Sequence, residues 1–223
     1  MLRTVSAYRR YFKAKKDWKR ATPEKIIVGT DHVDNTFGAV CRTLNLLVSV
    51  GHNRVGMELP SNYSLSDWVM LGGFFGPLAI EATKRGIGVI PIDVPFVPIE
   101  TELKFDSWYH ALAIVDKHKG NIEKAREEIK FNMRKLRFLL ERLGDSEQTE
   151  DIQVKLSRLL VVARILEEGN VQSIEQRVGE LNREREEHME RRIRDEELRA
   201  AISGEGHALA LKNRLPKYGY LFI

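Results

Sequence analysis

Between residues 25 and 93, three short apolar runs alternate with two stretches of helical periodicity, and this alternation restricts the chain to a few folds. Lys25-Ile26-Ile27-Val28 is an apolar run closed by Gly29, the pattern of a buried strand. Residues 37–50 carry Val40, Leu44, Leu47 and Val48 at helical spacing, and Gly51 stands just past their end. Residues 54–59 form a second apolar run, stopped by Pro60. Ser64-Leu65-Ser66-Asp67 offers caps for a helix that restarts near Gly76-Pro77 and ends at Gly86. Residues 88–93 are the third run. The β-α-β-α-β order predicts an α/β fold with a small, mainly parallel sheet and right-handed crossovers.

After Pro91, Pro95 and Pro98 the texture changes, and residues 117–202 are almost entirely helix-forming. Ile122, Ile129, Leu136 and Leu143 recur seven apart, with Ala125, Leu139 and Leu140 filling the same stripe. Gly144-Asp145-Ser146 reads as a turn. Ile152, Leu156, Leu159, Leu160, Ala163 and Leu166 mark a second helix, and Gly169-Asn170 is the next break. A third helix starts near Gln172 with Ile174, Val178 and Leu181, and its stripe fades into Arg183-Glu184-Arg185-Glu186-Glu187-His188. Three long helices in a row predict a helical insertion, after which the C-terminal segment returns to the sheet. The expected organisation is a basic leader (1–22), the first part of the α/β core (23–116), the insertion (117–182) and the rest of the core (183–223). The insertion is also the candidate surface for a homodimer.

The net charge of +4 hides an asymmetry. Residues 1–20 hold eight basic residues and one acid, or +7, whereas the remainder holds 28 basic and 31 acidic residues, or −3. The leader, with Tyr8, Tyr11, Phe12 and Trp18, is a docked basic helix or a contact with an anionic membrane surface. The body lacks the excess of cations that a nucleic-acid-binding core requires. A single cysteine, Cys41, in the run Ala39-Val40-Cys41, allows no internal disulfide and reads as a small buried hydrophobe, consistent with a reduced, cytoplasmic setting. Residues 68–80 are uncharged but too short and too rich in glycine for a transmembrane segment.

Chemistry-bearing residues collect where the strands end. In a parallel sheet, ligands bind beyond the carboxyl ends of the strands. Asp31 and His32 follow the first strand in Gly29-Thr30-Asp31-His32, Glu58 closes the second and Asp93 the third. A second Gly-x-x-His, Gly204-Glu205-Gly206-His207, follows the third helix. Two imidazoles and a carboxylate suit a divalent ion such as Zn, Mn or Co. Glycines beside ligands (Gly29, Gly204 and Gly206) permit tight turns and close backbone approach. Other readings stand beside these. His32 is alternatively a satisfied core histidine and His207 a surface one. Glu58 is a ligand or general base, or else a strand-end carboxylate capping the next helix. Asp93 orients a ligand or acts as base, or is a turn residue before Pro95. Arg194 stabilises developing charge, or pairs with Glu190 four residues earlier. Asp31 and Asp34 are possible extra ligands or turn formers.

The strings Ile27-Val28-Gly29-Thr30-Asp31-His32 and Val55-Gly56-Met57-Glu58-Leu59 resemble the opening of the TraB/PrgY/TIKI superfamily. That group contains the pheromone-shutdown proteins and the TIKI metalloproteases, and it is related in fold to erythromycin esterases and the ChaN haem-binding proteins. The resemblance continues through residues 79–93, Arg194-Asp195-Glu196-Glu197-Leu198 and the closing Gly204-Glu205-Gly206-His207 with Gly219-Tyr220. It covers both ends of the chain and leaves the helical middle unmatched. The family places a hydrophobic strand before its second Gly-x-x-His. Here only Ala200-Ala201-Ile202-Ser203 intervenes, so that strand is expected to be lost or absorbed into the preceding helix.

The resemblance implies a metal-dependent hydrolase, with His32, His207 and Glu58 holding Mn, Co or Zn. Glu58, Asp93 and Arg194 would serve catalysis on a small-molecule or peptide substrate. Two alternatives share the scaffold: a non-catalytic module binding haem or another ligand, and a helical interaction protein.

Overall fold

The computed structural model describes residues 24–31, 34–62, 64, 67, 74–95, 105–143 and 147–223, with the backbone alone at 34–36, 147 and 148. The basic leader, His32, most of the segment expected to begin a helix at Ser64 and the 144–146 turn lie outside them.

The elements in chain order are β1 (Ile26–Thr30), α1 (Asp34–Ser49), β2 (Arg54–Pro60), α2 (Phe75–Lys84), β3 (Gly88–Asp93), α3 (Ser107–Lys117), α4 (Ile122–Leu143), α5 (Glu147–Glu168), α6 (Val171–Asp195), β4 (Ala200–Gly204), α7 (Glu205–Arg214) and β5 (Gly219–Phe222). The five strands form one parallel sheet in the order β3-β2-β4-β1-β5. The chain therefore leaves a gap between β1 and β2, and β4 fills it.

Strand side chains alternate between faces. Ile26 and Val28, Val55, Met57 and Leu59, Ala200 and Ile202, and Leu221 turn to one face, against Val40, Leu44 and Leu47 of α1 and Leu78, Ala79 and Ala82 of α2. Ile27, Ile92 and Ala201 turn to the other, against Met189 and Ile193 of α6, Leu198, Ala208 and Leu211 of α7, and Leu215. Room on that second face is made by glycine. A Cβ on Gly56 would stand 2.9 Å from Leu198, and one on Gly29 would stand 2.7 Å from the Phe222 ring and 2.9 Å from Ala208.

The sequence expectation is corrected at β4. Ala200-Ala201-Ile202-Ser203-Gly204 is a fully buried central strand, paired to β1 from Ile26↔Ala200 to Thr30↔Gly204. Small residues suit it because both faces are tightly covered.

The chain divides into two compact units, one of residues 1–96 and 184–223, the other Val97–Arg183. The second unit has its own core, formed by Ala111, Ile114 and Val115 of α3, Ala125, Ile129 and Met133 of α4, Val162, Ile165 and Leu166 of α5, and Ile174 of α6. It thus begins earlier than residue 117, because α3 packs with the helices that follow it. The break at Gly169-Asn170 is a reciprocal cap: Ser173 N–H donates to Asn170 Oδ1 and Asn170 N–H to Ser173 Oγ, both at 2.9 Å. On α4, Phe131 and Phe138 are exposed, each with a cation over its ring, Lys135 and Arg142 respectively. Among the described residues, no helix is long and apolar enough to cross a membrane.

Candidate functional site at the carboxyl ends of the strands

The helix that follows β1 lies on one face of the sheet and the helix that follows β4 on the other. Neighbouring parallel strands whose connections leave to opposite faces open a crevice at their carboxyl ends, where such folds bind ligands. Gly29-Thr30-Asp31 of the first string and Gly204-Glu205-Gly206-His207 stand at this crevice. Gly29 pairs with Ser203 and Thr30 with Gly204, so the strings leave the sheet side by side. The two motifs, far apart in sequence, meet with an offset of one residue, Thr30 standing opposite Gly204.

Glu58 extends the row of Gly56 on β2, the row that faces α6 and α7. Its side chain is only 7% exposed. Oε2 accepts the Gly204 N–H at 2.6 Å, which places a carboxylate at the positive end of α7. Glu58 thus caps α7. Oε1 accepts from Arg185 Nη2 at 3.0 Å and stands 3.8 Å from His207 Nε2.

Asp93 ends β3 and is likewise buried. Arg185 grips it with Nε to Oδ1 at 3.0 Å and Nη2 to Oδ2, while the Val94 N–H donates to Oδ1 at 2.8 Å. Arg185 therefore bridges the two carboxylates, and all three side chains are largely removed from water. Burial of such charges is tolerated only when they are paired in this way.

His207 lies in the first turn of α7, with its side chain 14% exposed. Its Nδ1 is buried without a hydrogen-bond partner, and Glu186 Oε1 is 3.5 Å away. The ring is thus flanked by a carboxylate on each nitrogen. His188, one turn further along α6 than Arg185, also has a buried Nε2 without a partner. Burial, followed by the nearby Arg191, pushes its pKa down, against an opposing pull from Asp93.

At the tetrahedral angle two ligands with bonds of about 2.1 Å stand about 3.4 Å apart, and Glu58 Oε1 and His207 Nε2 stand 3.8 Å apart. A metal-bound histidine ordinarily turns its other nitrogen to a carboxylate, the position that Glu186 takes here. Among the described residues, no group of three or more His, Cys, Asp or Glu side chains is placed to hold an ion. Glu58 and His207 are donors of suitable type; the third ligand expected from sequence, His32, is outside the described residues, as is the side chain of Asp34.

Arg194 stands apart from this rim. It lies at the end of α6 beside Lys25 and Tyr218, which precede β1 and β5, so it is at the amino ends of the strands. A five-residue strand separates the two ends by about 16 Å. Arg194 Nε donates to Glu190 Oε1 at 3.0 Å and Nη2 to the Arg214 carbonyl at 2.9 Å. The pairing with Glu190 is the one its spacing suggested.

The glycines also divide. Gly29 accommodates Phe222 and Ala208, Gly204 supplies the N–H that Glu58 accepts, and Gly206 faces open space. Arg185 is the residue that sequence reasoning missed. Its signal was its position: Leu181, Arg185, Met189 and Ile193 follow one another at four-residue steps, and the other three are fully buried. An arginine in the register of a buried stripe demands a buried partner.

Comparison of the chain with protein-family models, with curated proteins and with solved structures finds no match.

Proposed function

We propose that the crevice between β1 and β4 is the site of a metal-dependent hydrolase of the TraB/TIKI type, with Glu58, His207 and His32 as ligands of a divalent ion. The observation that carries this reading is the 3.8 Å separation of His207 Nε2 and Glu58 Oε1 beside the paired ends of the two Gly-x-x-His strings. Mn, Co or Zn bound there would supply a Lewis acid and a water ionisable near neutral pH. The chain's own residues do the positioning. The Gly204 N–H fixes one oxygen of Glu58 and leaves the other toward His207. Glu186 faces the far nitrogen of the imidazole. Asp93 acts through Arg185, which it holds against Glu58. Arg185, held between Glu58 and Asp93, lies at this end of the sheet, and Arg194 lies at the other. Peptide or amide hydrolysis as the reaction follows from the family resemblance.

A second reading, a non-catalytic module binding haem or another ligand, draws on the same salt bridge, in which Glu58 and Asp93 share Arg185. Protein purified without an affinity tag, stripped with chelator and titrated with Mn²⁺, Co²⁺ and Zn²⁺ separates the two. Stoichiometric binding that disappears in His207→Ala and in His32→Ala is expected. Failure of all three ions to bind the wild-type protein overturns the metal reading and leaves haem titration as the next measurement.

A further inference from the structure

The amino-terminal end of the sheet carries a cavity that the rim does not use. Lys25 before β1, Ile193, Arg194 and Glu197 around the end of α6, and Leu215, Pro216, Lys217 and Tyr218 before β5 line a half-open cleft of about 600 Å³. That volume lies within the range of small-molecule sites, roughly 300–1,000 Å³. Ile193 and Leu215 are buried and form an apolar floor. The Tyr218 ring is fixed by its hydroxyl, which donates to the Leu198 carbonyl at 2.6 Å, and Lys25 Nζ stands 5.5 Å from its centroid.

The charged wall is one-sided. Three cations, Lys25, Arg194 and Lys217, face a single carboxylate, Glu197. Arg194 is held in place by Glu190 and the Arg214 carbonyl. Lys25 and Lys217 have no carboxylate partner among the described residues. An apolar floor beside unpaired ammonium groups suits a ligand with both characters.

We infer that this cavity binds a monoanionic amphiphile, a carboxylate joined to a hydrocarbon or aryl body. The body lies on Ile193, Leu215, Pro216 and the Tyr218 ring, and the carboxylate lies between Lys25 and Lys217. Glu197 opposes a second negative charge, and the apolar floor gives a bare inorganic anion nothing to bury. The site is independent of the rim and does not rest on the hydrolase reading.

Calorimetric titration of the full chain with octanoate, 1-octanol and inorganic phosphate tests it. Saturable octanoate binding is expected, with octanol and phosphate weaker by about tenfold or more, the effect of one well-placed charge contact. Lys25→Glu combined with Lys217→Glu should weaken octanoate by at least about the same factor. Should that variant fail to fold, Lys25→Gln with Lys217→Gln and the salt dependence of wild-type binding give the same reading, because added salt weakens an ammonium–carboxylate contact. Octanol or phosphate binding as tightly as octanoate overturns the inference. So does retention of octanoate affinity in the charge variants, or the absence of saturable octanoate binding.

Discussion

Replacing Arg185 with Met should be among the most damaging single changes in the sheet unit. The substitution keeps length and apolar stem but removes the guanidinium that serves Glu58 and Asp93. Those side chains are 7% and 11% exposed, so water cannot take over the lost contacts. Deleting one partner of a buried ion pair costs about 3–5 kcal/mol, chiefly because the opposite charge is stranded. In a domain of 150–250 residues this lowers the melting midpoint by about 10 °C. The physical claim lies in an asymmetry. Neutralising the whole group, with Arg185→Met, Asp93→Asn and Glu58→Gln together, should recover most of the loss, since Gln and Asn keep acceptors for the Gly204 and Val94 N–H groups. Urea unfolding of the single variants and the triple variant, followed by far-ultraviolet circular dichroism, gives the coupling through a mutant cycle. A single-variant loss below about 1 kcal/mol, the value of an exposed pair, would refute the argument. A triple variant as unstable as the sum of its parts would refute it equally.

Gly29→Ala should cost about 1–3 kcal/mol, because the new Cβ meets the Phe222 ring at 2.7 Å and Ala208 at 2.9 Å; denaturant midpoints measure it, and partial rescue by Phe222→Leu identifies the clash. Burial pushes the Tyr220 hydroxyl up to about 12, and that hydroxyl donates to the carbonyls of Leu211 and Leu215. The folded state therefore holds the proton more tightly than the unfolded chain. Its contribution is complete below the unfolded value of about 10 and is lost as pH rises toward 12. Burial pushes Tyr218 up as well, so absorbance titration at high pH should show a late-ionising fraction that Tyr220→Phe reduces, and an unchanged titration would contradict the assignment.

Strands β1, β2 and β3 were legible because each is an apolar run between turn residues, and α1 and α2 because their periodicity ends at Gly51 and Gly86, both at positive φ. β4 was not legible. Ala200 and Ala201 carry no strand preference; Ala201 is packed close to Gly56, 3.4 Å from where a Cβ would stand there, and Ala200 is buried on the opposite face. The end of α6 was misread for a related reason. Its stripe does not fade at Arg185; it turns polar where the sheet offers Glu58 and Asp93 as partners. Glu58 and Asp93 were found as strand-end carboxylates, but the arginine between them belonged to a different pattern. Arg194 drew attention through a motif, yet which end of the sheet it occupies depends on how α6 packs, and spacing along a helix does not contain that information.

The late insertion of β4 has a consequence for how the protein is made. Ile26 pairs with Ala200 and Gly219, so β1 leaves a synthesising ribosome long before either strand that pairs with it. Until then the β4-facing edges of β1 and β2 have nothing to bond, and open edges of this kind recruit other chains. Contacts of such sequence separation also form slowly. A chain truncated before residue 200 should therefore aggregate instead of folding as a smaller sheet, which light scattering of the truncated protein would show. The same event assembles the crevice, because Gly204 joins Thr30 and Glu58 only when β4 docks.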